Sequence, residues 1–194
     1  MNLPNKITVL RMIMVPFFVC FLLLTPTIEW FKWIAFVLFV IASITDWVDG
    51  SIARKYNLVT NFGKFMDPLA DKLLVGAAMI GLTGLGIIPA WITILLISRE
   101  FVISGFRLIA VEKGVVIAAG IWGKMKTVVQ MIMICVLLVV MNDAYFGLSG
   151  SGFQMVITIL KVVGQILIWA SVILTIISLL DYLWANKAVL KDEK

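Results

Sequence analysis

The sequence predicts an all-α integral membrane protein, with six transmembrane helices in one bundle and both termini in the cytoplasm. Three observations predict it. Of 194 residues, 62% are apolar and 14% charged, and the mean hydropathy is +1.11, a composition outside the range of water-soluble domains. Six apolar runs are each long enough to cross a hydrocarbon core of about 30 Å, which takes roughly 20 helical residues. The formal net charge of +5 is unevenly distributed. Lys6, Arg11, Arg54, Lys55, Lys64, Lys113, Lys124, Lys126, Lys187, Lys191 and Lys194 gather at one set of helix ends, whereas the opposite loops carry little beyond Lys32.

The first run, Ile7 to Leu24, contains Pro16 and is followed by no small-residue cleavage pattern, so it is expected to stay in the membrane. The second, Trp30 to Ala53, opens on Trp30 and Trp33, which suit an interfacial belt. A short loop, Arg54 to Gly63, leads to the third, Lys64 to Leu85. A Gly-rich turn near Gly84 to Ile88 precedes the fourth, Pro89 to Val111. The fifth, Ile121 to Met141, and the sixth, Phe153 to Trp184, follow the connections Glu112 to Gly120 and Asn142 to Gly152. Leu148 to Phe153 reads as an extracytoplasmic loop with no catalytic role. No internal repeat or linker divides residues 1–194, so one domain is expected.

The chemistry available is narrow. Histidine is absent, which removes imidazole-based triads and most zinc sites. The two cysteines, Cys20 and Cys135, are far apart in apolar runs and read as buried packing residues rather than a disulfide. Carboxylates and bases remain.

Asp46 and Asp49, in DWVDGSIAR, are spaced i, i+3 near the end of the second helix. Asp67 and Asp71, in GKFMDPLADK, are spaced i, i+4 near the start of the third. A short loop makes these helices antiparallel neighbours, so four carboxylates can converge at one membrane face. Bare, they would repel one another; a divalent cation would neutralise them, and oxygen-only ligation favours Mg²⁺, Mn²⁺ or Ca²⁺ over zinc. Helix capping, or pairing with Arg54, Lys55, Lys64 and Lys72, accounts for one such pair but poorly for four at regular spacing. Gly50 and Ala53 allow either a close ligand approach or tight helix packing. Arg54 can grip a phosphate through two hydrogen bonds. Gly63, before the third helix, reads by itself as a turn residue.

Together, Asp46, Asp49, Gly50, Ala53, Arg54, Gly63, Asp67 and Asp71 form the order D-x2-D-G-x2-A-R-x8-G-x3-D-x3-D. This pattern resembles the CDP-alcohol phosphotransferase family without departure. The resemblance implies a membrane enzyme, often a homodimer, in which an alcohol displaces CMP from a CDP-linked substrate. It implies that Asp46, Asp49, Asp67 and Asp71 hold two divalent ions, Mg²⁺ or Mn²⁺, and that Asp71 is the general base. By the same resemblance Asn5, Thr8, Gly50, Ala53, Arg54, Thr60 and Gly63 form the CDP site.

Beyond the signature, SREFVISGFR places Glu100, Ser104 and Arg107 on one helix face with Arg99 beside them. GKMKTVVQ adds Lys124, and Lys126 one turn from Gln130. So many cations near one face invite an anionic acceptor, with Arg99, Arg107, Lys124 and Lys126 as candidate phosphate ligands. The alternatives are a structural ion-pair network and simple topology control. Both segments resemble those of family members that use CDP-diacylglycerol as donor and glycerol 3-phosphate as acceptor. That implies an enzyme of the plasma membrane whose site faces the cytoplasm and whose product is phosphatidylglycerol phosphate. Relatives use inositol phosphate, serine or phosphatidylglycerol instead. A cation transporter would need acidic residues along a path through the bilayer, and a prenyltransferase would need two separated Asp-rich segments.

Overall fold

The computed structural model describes residues 3–55, 61–112, 120–141 and 151–186, with side chains except at 3–6, 46–55, 61–69, 71, 111–112 and 151–153. Among the described residues there are six helices and no strand: α1 (Leu3–Leu24), α2 (Phe31–Lys55), α3 (Asn61–Gly84), α4 (Ala90–Glu112), α5 (Ile121–Val140) and α6 (Ser151–Ala185).

Each helix buries a stripe set by the 3.6-residue period. On α1 the stripe is Thr8, Arg11, Val15, Phe18 and Leu22; on α2 it is Ala35, Phe39 and Ala42; on α3 it is Ala70, Leu74, Ala78 and Leu82. Phe18 and Phe39 meet with ring centroids 5.7 Å apart, joining α1 to α2. Helix α1 also rests on α3, while α5 packs against α6 and α2, and α4 lies between α3 and α6. One continuous apolar core results, reaching from Val15 to Val172 with contributions from every helix.

The turn between α3 and α4 is closed by Gly86 N–H donating to the Thr83 carbonyl (2.9 Å) and Ile87 N–H to the Leu82 carbonyl (2.9 Å). Gly86 has φ +74°, the left-handed conformation this helix ending requires. Pro89 then offers its carbonyl to Ile92 N–H, and the Thr83 and Thr93 hydroxyls meet at 2.6 Å, tying the two helix ends together.

Among the described residues, three stretches are long and apolar enough to cross a membrane: Ile7–Leu24, Ile121–Val140 and Gln154–Ala185. The protein is therefore read as a membrane protein. Among the described residues, α2 and α3 also carry the shorter apolar stretches Phe31–Thr45 and Lys72–Gly84. Helix α4 carries Arg99, Glu100 and Arg107 within its sequence. Helix α6, with 35 residues, extends about 50 Å at about 1.5 Å per residue.

Some expectations need correction. Helix α3 begins at Asn61, so Gly63 belongs to its first turn and is not a residue of the preceding loop. Ser151, Gly152 and Phe153 belong to α6, whose long apolar run propagates helix back to Ser151; residues 148–150 lie outside the described residues. Cys20 is exposed and Cys135 half-buried, since neither position falls on a buried stripe. In a membrane protein the outward surface is apolar too, and Phe17, Ile80, Ile94 and Ile166 are likewise exposed.

Candidate active site

Two sets of polar residues stand out on these helices. The first is carried by α2 and α3, which pack against each other and against α1. Asp46, Asp49, Gly50, Ala53 and Arg54 belong to α2, and Gly63, Asp67 and Asp71 to α3. Positions 46, 49 and 53 continue the register of the buried α2 stripe Ala35, Phe39 and Ala42. Positions 67 and 71 continue that of Leu74, Ala78 and Leu82 on α3. The side chains of these eight residues, and that of Asn5 on α1, lie outside the described residues, as does Thr60 altogether.

Thr8 is 1% exposed on the buried face of α1, and so is Arg11 one turn further on. The sequence reading counted Arg11 as a topology marker. Its spacing to Thr8, Val15 and Phe18 is the signal that places it on the inward face. Among the described residues no group of three or more Cys, Asp or Glu side chains gathers. Aspartate carboxylates offer only oxygen donors, the kind a hard divalent cation prefers.

The second set joins α3, α4, α5 and α6. The Lys126 ammonium, fully buried on α5, donates to Glu100 Oε1 on α4. Arg99, 6% exposed, places Nη1 3.7 Å from the same oxygen and donates from Nη2 to the Ser178 hydroxyl of α6. Glu100 keeps 27% of its side chain open. Ser104 donates to the Glu100 carbonyl (2.5 Å) and accepts from the Lys72 ammonium, which anchors α3 one residue after Asp71. One carboxylate thus faces two buried cations, an excess of positive charge that an incoming anion would offset.

Of the other basic candidates, Arg107 is half-buried two turns along α4 from Arg99, with Nε buried and without a hydrogen-bond partner among the described residues. Lys124 is exposed at the start of α5 and does not join the cluster around Glu100. Gln130 is buried one turn beyond Lys126. Gln130, Glu100 and Lys72 line a cavity of about 320 Å³ whose remaining wall is mostly apolar, including Val75, Ile97 and Phe101.

Sequence reasoning missed the α6 wall. Ser171, Thr175, Ser178 and Tyr182, at i, i+4, i+7 and i+11, are all buried. The Ser171, Thr175 and Tyr182 oxygens have no hydrogen-bond partner among the described residues. The spacing was visible, but isolated hydroxyls in an apolar helix equally suit packing.

A family model described as CDP-alcohol phosphatidyltransferase matches residues 1–177. The chain is 42% identical over 205 aligned positions to a Bacillus subtilis protein named CDP-diacylglycerol–glycerol-3-phosphate 3-phosphatidyltransferase, covering 98% of this chain and 97% of the relative. Proteins of the same name from Rickettsia typhi and Haemophilus influenzae are each 38% identical. They cover 96% and 98% of this chain, and 97% and 96% of their own lengths.

Proposed function

The chain belongs to the CDP-alcohol phosphatidyltransferase family, and from that premise we propose that it transfers the phosphatidyl group of CDP-diacylglycerol to glycerol 3-phosphate, releasing CMP. The observation that carries this reading is the eight-position signature, with its acidic pairs on α2 and α3 in register with the stripes that form the core.

In this reading the acceptor hydroxyl attacks the lipid-linked phosphorus in line. A new O–P bond forms, the diphosphate O–P bond breaks, and CMP departs with the electron pair. Asp71 takes the proton of the attacking hydroxyl. Two divalent ions, Mg²⁺ or Mn²⁺, held by Asp46, Asp49, Asp67 and Asp71, would neutralise the diphosphate and stabilise CMP as leaving group. Asn5, Thr8, Gly50, Ala53, Arg54, Thr60 and Gly63 hold the CDP moiety. Arg99 and Lys126, with Arg107 and Lys124, bind the acceptor phosphate. The excess positive charge around Glu100 supports the assignment of Arg99 and Lys126, and the mostly apolar cavity beside Lys72 suits a lipid chain near the reacting groups.

The same reading makes residues 1–194 one domain of six membrane spans, with both termini and the active site at the cytoplasmic face of the plasma membrane, working as a homodimer. The placement of the basic residues supports the orientation. The test is CMP release by purified protein in detergent with Mg²⁺ and CDP-diacylglycerol. Release that depends on glycerol 3-phosphate is expected; release with serine or inositol phosphate in its place overturns the acceptor assignment.

A further inference from the structure

Arg99 is held from three sides. Its Nη2 donates to Ser178 on α6, its Nη1 faces Glu100 at 3.7 Å, and α5 passes it at Gly123. A Cβ on Gly123 would lie 3.1 Å from Arg99 Nη2 and 3.7 Å from the Ser178 hydroxyl, so the guanidinium occupies the space a side chain would take. Its Nε is buried with no hydrogen-bond partner among the described residues. A buried donor left without a partner is costly, more so when charged, and so marks a place for a ligand or water oxygen.

A long arginine side chain samples many rotamers, and fixing one before the ligand arrives removes an entropic cost from binding. Ser178 supplies that fixation. It is 3% exposed, lies outside residues 1–177, and belongs to the hydroxyl stripe that includes Thr175 and Ser171. The Gly123 gap and the Ser178 hydroxyl together select one guanidinium position, with Nε left as an available donor.

We infer that Ser178 is a positioning residue for acceptor recognition: it holds Arg99 so that the arginine meets the phosphate of the acceptor. The inference rests on the proposed role of Arg99 as an acceptor-phosphate ligand. Ser178 itself touches neither substrate, so its effect falls on the affinity for one substrate and not on the chemical step.

The experiment is steady-state kinetics of the full chain in mixed micelles, varying each substrate at saturating concentrations of the other. Ser178→Ala is expected to raise KM for glycerol 3-phosphate about tenfold, the scale of one hydrogen bond to a charged group. Both kcat and KM for CDP-diacylglycerol should stay within about twofold. Ser178→Thr, which keeps the hydroxyl, should restore KM. Gly123→Ala, crowding the guanidinium from α5, should give the same selective rise. A Ser178→Ala enzyme with unchanged KM, or with reduced kcat alone, overturns the inference. Arg99→Lys separates the two readings. If it raises KM for glycerol 3-phosphate while Ser178→Ala does not, only the positioning role falls; if it leaves that KM unchanged, the acceptor site itself is misplaced and the inference falls with it.

Discussion

Gly81 on α3 lies so close to Leu22 on α1 that a Cβ added to it would sit 2.5 Å from Leu22 Cδ2. Leu22 is fully buried, so its freedom to turn aside is limited. This contact helps set the approach of α1 to α3, the helix that carries Asp67 and Asp71.

Gly81→Leu should therefore lower stability by about 1–3 kcal/mol, the usual range for overpacking a core. Shortening the neighbour in the same chain, Gly81→Leu with Leu22→Ala, should recover part of the loss, because the cavity made by one change receives the bulk of the other. Thermal unfolding in detergent, followed by circular dichroism, checks this. A Gly81→Leu protein that melts with the parent would mean that the helices separate at no cost.

Gly86 raises a backbone question instead of a packing one. Its φ of +74° is open to glycine but strained for an L-residue, and no heavy atom lies within 4 Å of a Cβ built there. Gly86→Ala should thus destabilise by about 1 kcal/mol through conformation alone. Gly86→Asn, which tolerates the left-handed region better, should lose less. The same melting experiment ranks the three proteins, and an alanine variant as stable as the parent would contradict the strained turn.

Cys20 is exposed on an apolar helix face, whereas Cys135 is half-buried where α5 packs. In membranes, a lipid-soluble maleimide should label Cys20 ahead of Cys135, while a charged, membrane-impermeant reagent should label neither appreciably. Mass spectrometry of the labelled peptides reads the order. Faster labelling of Cys135, or ready reaction of Cys20 with the charged reagent, would show that the outward face of α1 meets water.

How much of this was legible in the sequence depended on whether the signal was local. The six helices were visible because apolar runs alternate with polar or Gly/Pro breaks, and the turn at Gly86 announced itself by its glycines. Helix starts were less legible: the polar Asn61 and Gly63 look like loop residues until the first turn of α3 is seen to include them. The acidic pairs were legible because aspartates within apolar helices are rare and their spacing is regular. The exposure of Cys20 was not, since an apolar environment lies on both sides of a membrane helix and residue type alone cannot tell core from lipid. Ser178 was missed for another reason. A serine in an apolar helix gains meaning only when α6 is known to lie beside Arg99, a relationship between residues 79 positions apart.

The four aspartates are proposed to share metal binding, yet Asp71 carries the further role of base, and the two roles respond differently to metal concentration. Replacing a ligand weakens occupancy, which mass action reverses; replacing the base removes a proton acceptor that no cation supplies. A chelator should abolish CMP release and added Mg²⁺ should restore it in the parent. Asp46→Asn, Asp49→Asn and Asp67→Asn should each lose activity at low Mg²⁺ and regain a measurable part as Mg²⁺ rises. Asp71→Asn should stay at least about 100-fold below the parent throughout, consistent with the loss of a general base. Initial rates across a Mg²⁺ series check this: recovery of Asp71→Asn along with the other three would leave it a metal ligand only, and the proton would need another acceptor.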